Sequence, residues 1–554
     1  MLSRLRQKEP HFLIFLILFA LIFSRYCLYG FQYYYQLDDY IQYHNYTAGE
    51  SPWDVVMRLG MLAARPLAGL ADVFVWEKFF SVMILGVAVV SAMFAGSACF
   101  LKKVFERNFG TGYVFLIVYT LLPLGFEGTY WMSASTRIVS GLFFSSAALL
   151  AFDTWCSGGK KVTLAAYCAL QILAYGFYEQ AIAFSAASVI LIGLLNLKGK
   201  PLRSVWMLWS FVAAACYFAF VNSFPESALY GTKTEYILPN TPYYFDVFLP
   251  ELLGQLKSAF LGGGYYTLTR GFVRGAKLIV RESGYVYLIA AIFLAAAVFF
   301  LARSFKAEKR RKPATALTIG VLLIAAPLAP FFFAANTWFS FRGTVFSFCG
   351  IGLVADTVIS LLLSRFHSGR KITAAFCAVF ALWCCVCSVS EIHDYKATME
   401  KDHAVTSLIM HTLIEDGHTD AEQSVAILNL EPTYLEEQNS YYHEHIHGVT
   451  ESSWALSGAL EWMMGAYSPE VAPLPANPMY RGWNRESMLL YNFEALYLYD
   501  GEDTLIKVSA VNAGYNMWTL KNENGEELGF VREEDNCGYL QLTSSAAETS
   551  SAPS

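Results

Sequence analysis

Charge is scarce in this chain: Lys, Arg, Asp and Glu together make up 15% of its 554 residues, where a soluble protein carries roughly a quarter. That shortage excludes an ordinary water-soluble enzyme of this length. Other absences narrow the field. There is no glycine-rich loop of the nucleotide-binding kind, and Gly262-Gly263-Gly264, which precedes two tyrosines, reads as a bend. No small-residue cleavage site follows the first apolar run, so that run reads as an uncleaved anchor. All of the 11 cysteines except Cys537 lie in or beside apolar segments, which leaves no disulfide partner in the polar C-terminal region. Clear internal repeats are lacking, as is a second acidic motif that would demand a metal ion. No metal, no other cofactor and no nucleic-acid partner are expected.

What is present in quantity is apolar. Hydrophobic residues reach 55%, mean hydropathy is +0.39, and 43 Phe and 34 Tyr supply interfacial anchors. Apolar runs of membrane length, about 20 residues or somewhat less, fall at 12–31, 79–101, 112–126, 138–152, 162–177, 181–197, 205–223, 285–301, 315–335, 344–363 and 372–390. The chain therefore reads as a mainly α, polytopic membrane protein of about eleven spans. The run Cys384-Cys385-Val386-Cys387 superficially resembles a metal motif, but its apolar helical setting makes these small buried residues. Arg25, near the outer end of the first run, reads as a snorkelling side chain.

Orientation follows from the basic residues. With the N-terminus inside, the cytoplasmic loops hold Lys102, Lys103 and Arg107, then Lys160-Lys161, then Lys198, Lys200 and Arg203. Next come Arg303 to Lys312, and last Arg365, Arg370 and Lys371. Every inner loop is basic. This puts Asp38-Asp39 outside the cytoplasm, together with everything after Glu391. In the first outer loop Ser51-Pro52-Trp53-Asp54 reads as a helix start, with the helix ending near Arg65-Pro66. The second outer loop runs from Glu127 to Arg137, short and polar. The third, about 224–284, ends in Arg270, Arg274, Lys277 and Arg281, which share one helical face opposite Phe272, Ala276 and Ile279. That face reads as an interfacial helix on anionic head groups, or in part as a holder of a lipid phosphate. The fourth presents Trp338 and Arg342.

Three sequence regions are expected: a transmembrane region 1–394, a small extracytoplasmic α/β domain at 395–543, and a disordered tail at 544–554. Ser424 to Leu430 reads as a buried strand, and Thr504 to Leu528 as short strands around a turn at Asn522-Glu523-Asn524-Gly525. His443, His445 and His447 alternate, so on a strand they share a face; a polar sheet face or interdomain contact is the plainer reading, a transition-metal site the sharper one. Asn45-Tyr46-Thr47 matches a glycosylation sequon.

Acids on the outer face can remove a proton from a hydroxyl, and arginines can hold a departing phosphate. The candidate set is Asp38, Asp39, Arg65, Glu127, Arg137, Glu179 and Arg342 with the basic face at 270–281. If 38–39 is extended the two acids point apart, and Asp39 is favoured as the one in use.

The stretches Leu37-Asp38-Asp39-Tyr40, Ala64-Arg65-Pro66-Leu67, Glu127 to Trp131, Tyr178-Glu179-Gln180 and Phe341-Arg342-Gly343 are similar in layout to the GT-C superfamily of polytopic glycosyltransferases. Within it the resemblance is to bacterial glucosyltransferases that modify surface polysaccharides, over about residues 1–395. The resemblance implies a multi-pass protein of the bacterial plasma membrane. It implies transfer of a sugar from a polyprenyl-phosphate donor to a cell-surface glycan or lipid acceptor on the outer membrane face. Asp39 or Asp38 is the implied base, and Arg342, Arg137, Arg270 and Arg274 the implied donor-phosphate ligands. Arg65, Glu127, Trp131, Tyr178, Glu179 and Trp338 are the implied acceptor or sugar pocket. A transporter, flippase or polymerase of surface glycans is the alternative; it would show charges buried mid-span, of which Asp356 is a scattered example. A non-catalytic scaffold would tolerate loss of the acidic pair.

Overall fold

A computed structural model describes residues 11–42, 51–225, 236–304, 312–335, 339–363, 366, 368–432, 448–465, 468–475, 490–534 and 537–543. The chain divides into two compact units, one of residues 1–33 and 50–393 and the other of residues 34–49 and 394–554. Where the sequence suggested a single boundary near 395, the division also takes 34–49, with the acidic pair, into the second unit.

The first unit is helical, and the last of its helices, Gly369–Glu415, runs on past residue 393 into the second unit. Among the described residues, seven helices are long and apolar enough to cross a membrane: Trp76–Phe109, Met132–Gly158, Pro201–Val221, Tyr285–Ser304, Pro313–Phe332, Phe341–Leu363 and Gly369–Glu415. Tyr113–Leu121 and Pro123–Tyr130 form a bent pair at 43°, and His11–Ser24, Lys161–Phe177 and Gln180–Asn196 are shorter apolar helices. The bend has a local cause. Pro123 lacks an N–H and pushes the residue before it out of the helical region, and Leu122 sits at φ −54°, ψ 117°.

Several loops expected from the sequence are ordered differently. The helix capped by Ser51, whose hydroxyl accepts from the Asp54 N–H, ends at Arg58. A new helix, Pro66–Phe74, then begins at the proline expected to end the first. Proline fits the first helical turn, where its missing N–H costs nothing. Glu127 to Tyr130 is not an exposed polar turn: it lies in a short helix, Phe126–Tyr130, buried throughout. The run from Tyr244 to Arg281 is helical, alternating α- and π-turns, so the glycine run is no bend. Gly263 packs directly on the Phe341 ring, where a Cβ has no room.

Arg25 does not snorkel. It is 1% exposed and donates to the carbonyls of Ile22 and Leu121 and to the Tyr26 hydroxyl. Asp356 is likewise structural: its carboxylate accepts from the N–H groups of Gly112 and Phe115, capping the Tyr113–Leu121 helix. Cys384, Cys385 and Cys387 are fully buried.

The second unit holds a seven-stranded mixed sheet in the order β2-β1-β3-β4-β5-β6-β7. β1 (Ser424–Leu428) lies between β2 (Glu470–Leu474) and β3 (Ala495–Tyr499), parallel to both. β4 (Leu505–Gly514), β5 (Met517–Asn522), β6 (Glu527–Glu534) and β7 (Cys537–Leu542) continue it antiparallel. Flanked on both edges, β1 reads as an unbroken apolar run, with Val425 to Leu428 at 0% exposure. Parallel strands need a crossover, and the helix Ser453–Met464 lies between β1 and β2 in sequence. The expected turn at 522–525 joins β5 to β6. There Gly525 takes φ +82° and the Asn522 side chain accepts from the N–H groups of Asn524 and Glu526.

Candidate functional site

In the first unit, the candidate residues gather around Tyr178, at the break between the helices Lys161–Phe177 and Gln180–Asn196. The guanidiniums of Arg65, Arg342 and Arg137 and the Glu179 carboxylate all lie within electrostatic reach of its phenol. Arg65 immediately precedes Pro66 and lies outside the helical region, which a following proline disfavours, at φ −120°, ψ 70°. Its Nε donates to both Glu179 oxygens, at 2.8 and 2.9 Å, and its guanidinium lies 4.6 Å from the Tyr178 ring centroid.

Gln180, the next residue, is buried and ties this turn to the one that carries Arg342. Its side-chain amide donates to the carbonyls of Gly343 (2.9 Å) and Pro327 (3.0 Å). Arg342 lies over the Trp131 ring, 5.3 Å from its centroid, and 4.0 Å from the Glu127 carboxylate. That separation exceeds a charge-assisted hydrogen bond of about 2.8 Å, so the pair is a Coulombic contact. Glu127 is wholly buried and Arg342 is 23% exposed.

Arg137 donates to Asp72 at 3.0 Å, with Asp72 only 1% exposed. The sequence reading missed Asp72. The signal was there, a lone acid in the otherwise apolar stretch 66–76 just ahead of a span. Arg270 and Arg274 stand elsewhere in the unit. Arg270 is exposed against the Tyr266 ring, while Arg274 donates to the backbone and hydroxyl of Ser390. The helix Gly271–Arg281 buries Gly271, Gly275, Leu278 and Ile279, and leaves Lys277 and Arg281 exposed. Its buried side is therefore turned toward Leu278 rather than centred on Phe272 and Ala276.

The acidic pair belongs to the second unit. Asp39 is fully buried, and its carboxylate accepts from the Gln36 N–H at 3.0 Å while its own N–H donates to the Gln36 carbonyl. Asp38, one residue earlier on the same short helix, is half-buried. Trp338, the three histidines at 443, 445 and 447, and the sequon at 45–47 lie outside the described residues, as does the tail.

Three guanidiniums around a tyrosine, backed by three carboxylates, can hold an anion without a large excess of charge. Each guanidinium has five N–H donors in a planar fork and can serve a carboxylate and a phosphate together. No protein-family profile matches the chain, and no curated protein is similar to it at a significant level.

Proposed function

We propose that this chain is a polytopic membrane glycosyltransferase that moves a sugar from a polyprenyl-phosphate donor to a surface glycan or lipid acceptor on the extracytoplasmic face. In this reading the N-terminus is cytoplasmic and the C-terminal unit lies outside the cell. The gathering of Arg65, Arg137 and Arg342 around Tyr178 carries it. Charged groups within an apolar helical unit are costly and are kept where they line a functional site.

The reaction assigned to these residues balances simply. An acceptor hydroxyl attacks the anomeric carbon and gives its proton to Asp39 or Asp38. The bond from that carbon to the phosphate oxygen breaks, inverting the centre, and polyprenyl phosphate leaves with the electron pair. Arg342, with Arg137 nearby, stabilises the growing negative charge. Trp131 and Tyr178 offer aromatic faces to a sugar ring, and Glu127, Glu179 and Arg65 offer hydrogen-bonding groups. Asp356, the scattered mid-span acid, accepts from the N–H groups of Gly112 and Phe115 and so has a structural role.

The test is reconstitution in vesicles with polyprenyl-phosphate-linked sugars and candidate acceptors, comparing the wild type with Asp39→Asn and Arg342→Ala. Both variants should lose transfer while inserting normally. Undiminished transfer by Arg342→Ala would remove the phosphate site, and undiminished transfer with both Asp38 and Asp39 neutralised would remove the base.

A further inference from the structure

The segment that carries the acidic pair has little to hold it in place by itself. Its helix, Asp38–Tyr40, is three residues long, and a nucleus of that size is unfavourable without tertiary packing. Yet Tyr34, Gln36, Leu37, Asp39 and Tyr40 are all buried. The packing comes from the C-terminal part of the same unit. Tyr40 is 0% exposed, its ring 5.4 Å from Trp462 and 5.8 Å from Tyr35. Tyr35 also meets Trp462, at 5.6 Å, and the His403 imidazole lies 5.4 Å from the Trp462 ring.

Two polar ties accompany the rings. The Tyr40 hydroxyl and His403 Nε2 are 3.3 Å apart. The Gln36 side-chain amide donates to the Tyr395 carbonyl at 2.9 Å. Asp402, next to His403, is buried and accepts from the Val449 N–H, which fixes that stretch of helix in turn.

We infer that Trp462 and His403 are positioning residues for the acidic pair: through Tyr40 they hold residues 34–42 in the conformation that presents the base. On this view the C-terminal unit is part of the catalytic apparatus and does not merely recognise an acceptor. The inference rests on the transferase reading above. Neither Trp462 nor His403 touches the substrate in this scheme; each acts through Tyr40.

The experiment uses the full-length protein in lipid vesicles with a polyprenyl-phosphate-linked sugar, and pairs kinetics with amide hydrogen exchange. Trp462→Ala should lower kcat by about 100-fold, the cost of a misplacement near 1 Å, with the donor KM unchanged. Trp462→Phe, which keeps a ring, should restore most of that loss. Amides of 36–42 should exchange faster in Trp462→Ala while those of β1 and β3–β6 keep their protection. If Trp462→Ala unfolds the sheet, the test passes to His403→Phe, which keeps the ring packing and loses the Tyr40 hydrogen bond. There a fall in kcat with KM unchanged supports the inference. Unchanged kcat in the folded variant overturns it. Absence of transfer by the wild type with every lipid-linked sugar tried would instead defeat the transferase reading, and full transfer by an Asp39→Asn, Asp38→Asn double variant would remove the base, whereas unaltered exchange at 36–42 in Trp462→Ala defeats the positioning inference alone.

Discussion

Gly128 and Arg342 meet backbone to backbone. A Cβ at Gly128 would stand 3.1 Å from the Arg342 Cα and 2.8 Å from a Val345 methyl, so the helix bearing Glu127 lies directly on the turn bearing Arg342. Gly128→Ala sets two effects against each other. The helix gains roughly 1 kcal/mol in propensity, and overpacking costs about 1–3 kcal/mol. The net change in stability is therefore small, while the displaced Arg342 lowers transfer by about 100-fold. Thermal stability and donor turnover measured on one preparation check this, and wild-type turnover would show the contact to be without consequence.

Asp72 and Arg137 form a pair that is nearly closed to solvent, with side chains 1% and 13% exposed. Removing one partner of such a pair costs about 3–5 kcal/mol, because the other charge stays buried. Asp72→Asn should therefore lose more stability than Glu179→Gln, whose partner Arg65 is more accessible. Denaturation midpoints of the two variants in one detergent rank them.

Glu461 supplies a pH dependence. Burial pushes its carboxyl up to about 7, against a partial counter-effect from the Ser468 backbone. A folded state that holds its proton while the unfolded chain has released it loses stability as pH rises. The loss runs from about pH 4.5, the ordinary carboxyl value, to about 7, and is complete above that. Glu461→Gln should abolish this slope and stabilise the sheet at pH 8 by on the order of 1 kcal/mol after allowing for solvent screening. Hydrogen exchange of the sheet amides at pH 5 and pH 8 reads it, and parallel pH slopes in the two proteins would remove Glu461 as their source.

Topology has a direct test. Ser51 and Lys161 are both exposed and stand at the starts of helices, at ends assigned to opposite sides. In a background with every cysteine replaced by serine, a membrane-impermeant maleimide added to intact cells should label Ser51→Cys and leave Lys161→Cys unlabelled until the membrane is opened. Labelling of both from outside would overturn the proposed orientation.

Much of the helical layout was legible because twenty apolar residues have few other uses. The strand at 424 and the turn at 522 were legible for a similar reason, since each is written in local chemistry. Pairings across long sequence separations were not. Arg25 looks like an interfacial charge until the Leu121 carbonyl supplies its acceptor. Glu127 looks like a loop acid, because nothing local reveals that the Phe341 turn covers it. Pro66 carried both a stop and a start signal, and only the chain geometry chose the start. For the acidic pair, the sequence suggested the chemistry but not that Trp462 and His403, more than 360 residues away, pack around Tyr40.

The buried arginine just past the end of the first helix bears on how the protein is made. An arginine at the centre of a membrane helix raises the cost of insertion by up to about 3 kcal/mol, and Arg25, just past the helix end, raises it by less. The helix His11–Ser24 spans only about 21 Å at 1.5 Å per residue, so it has little apolar surface to offset that cost. The acceptor that satisfies Arg25 at Leu121 lies 96 residues further along the chain, and at about 5–20 residues per second it emerges several seconds later. During that interval the Arg25 guanidinium lacks its Leu121 acceptor. The C-terminal end of the helix Tyr113–Leu121, ahead of Pro123, supplies it.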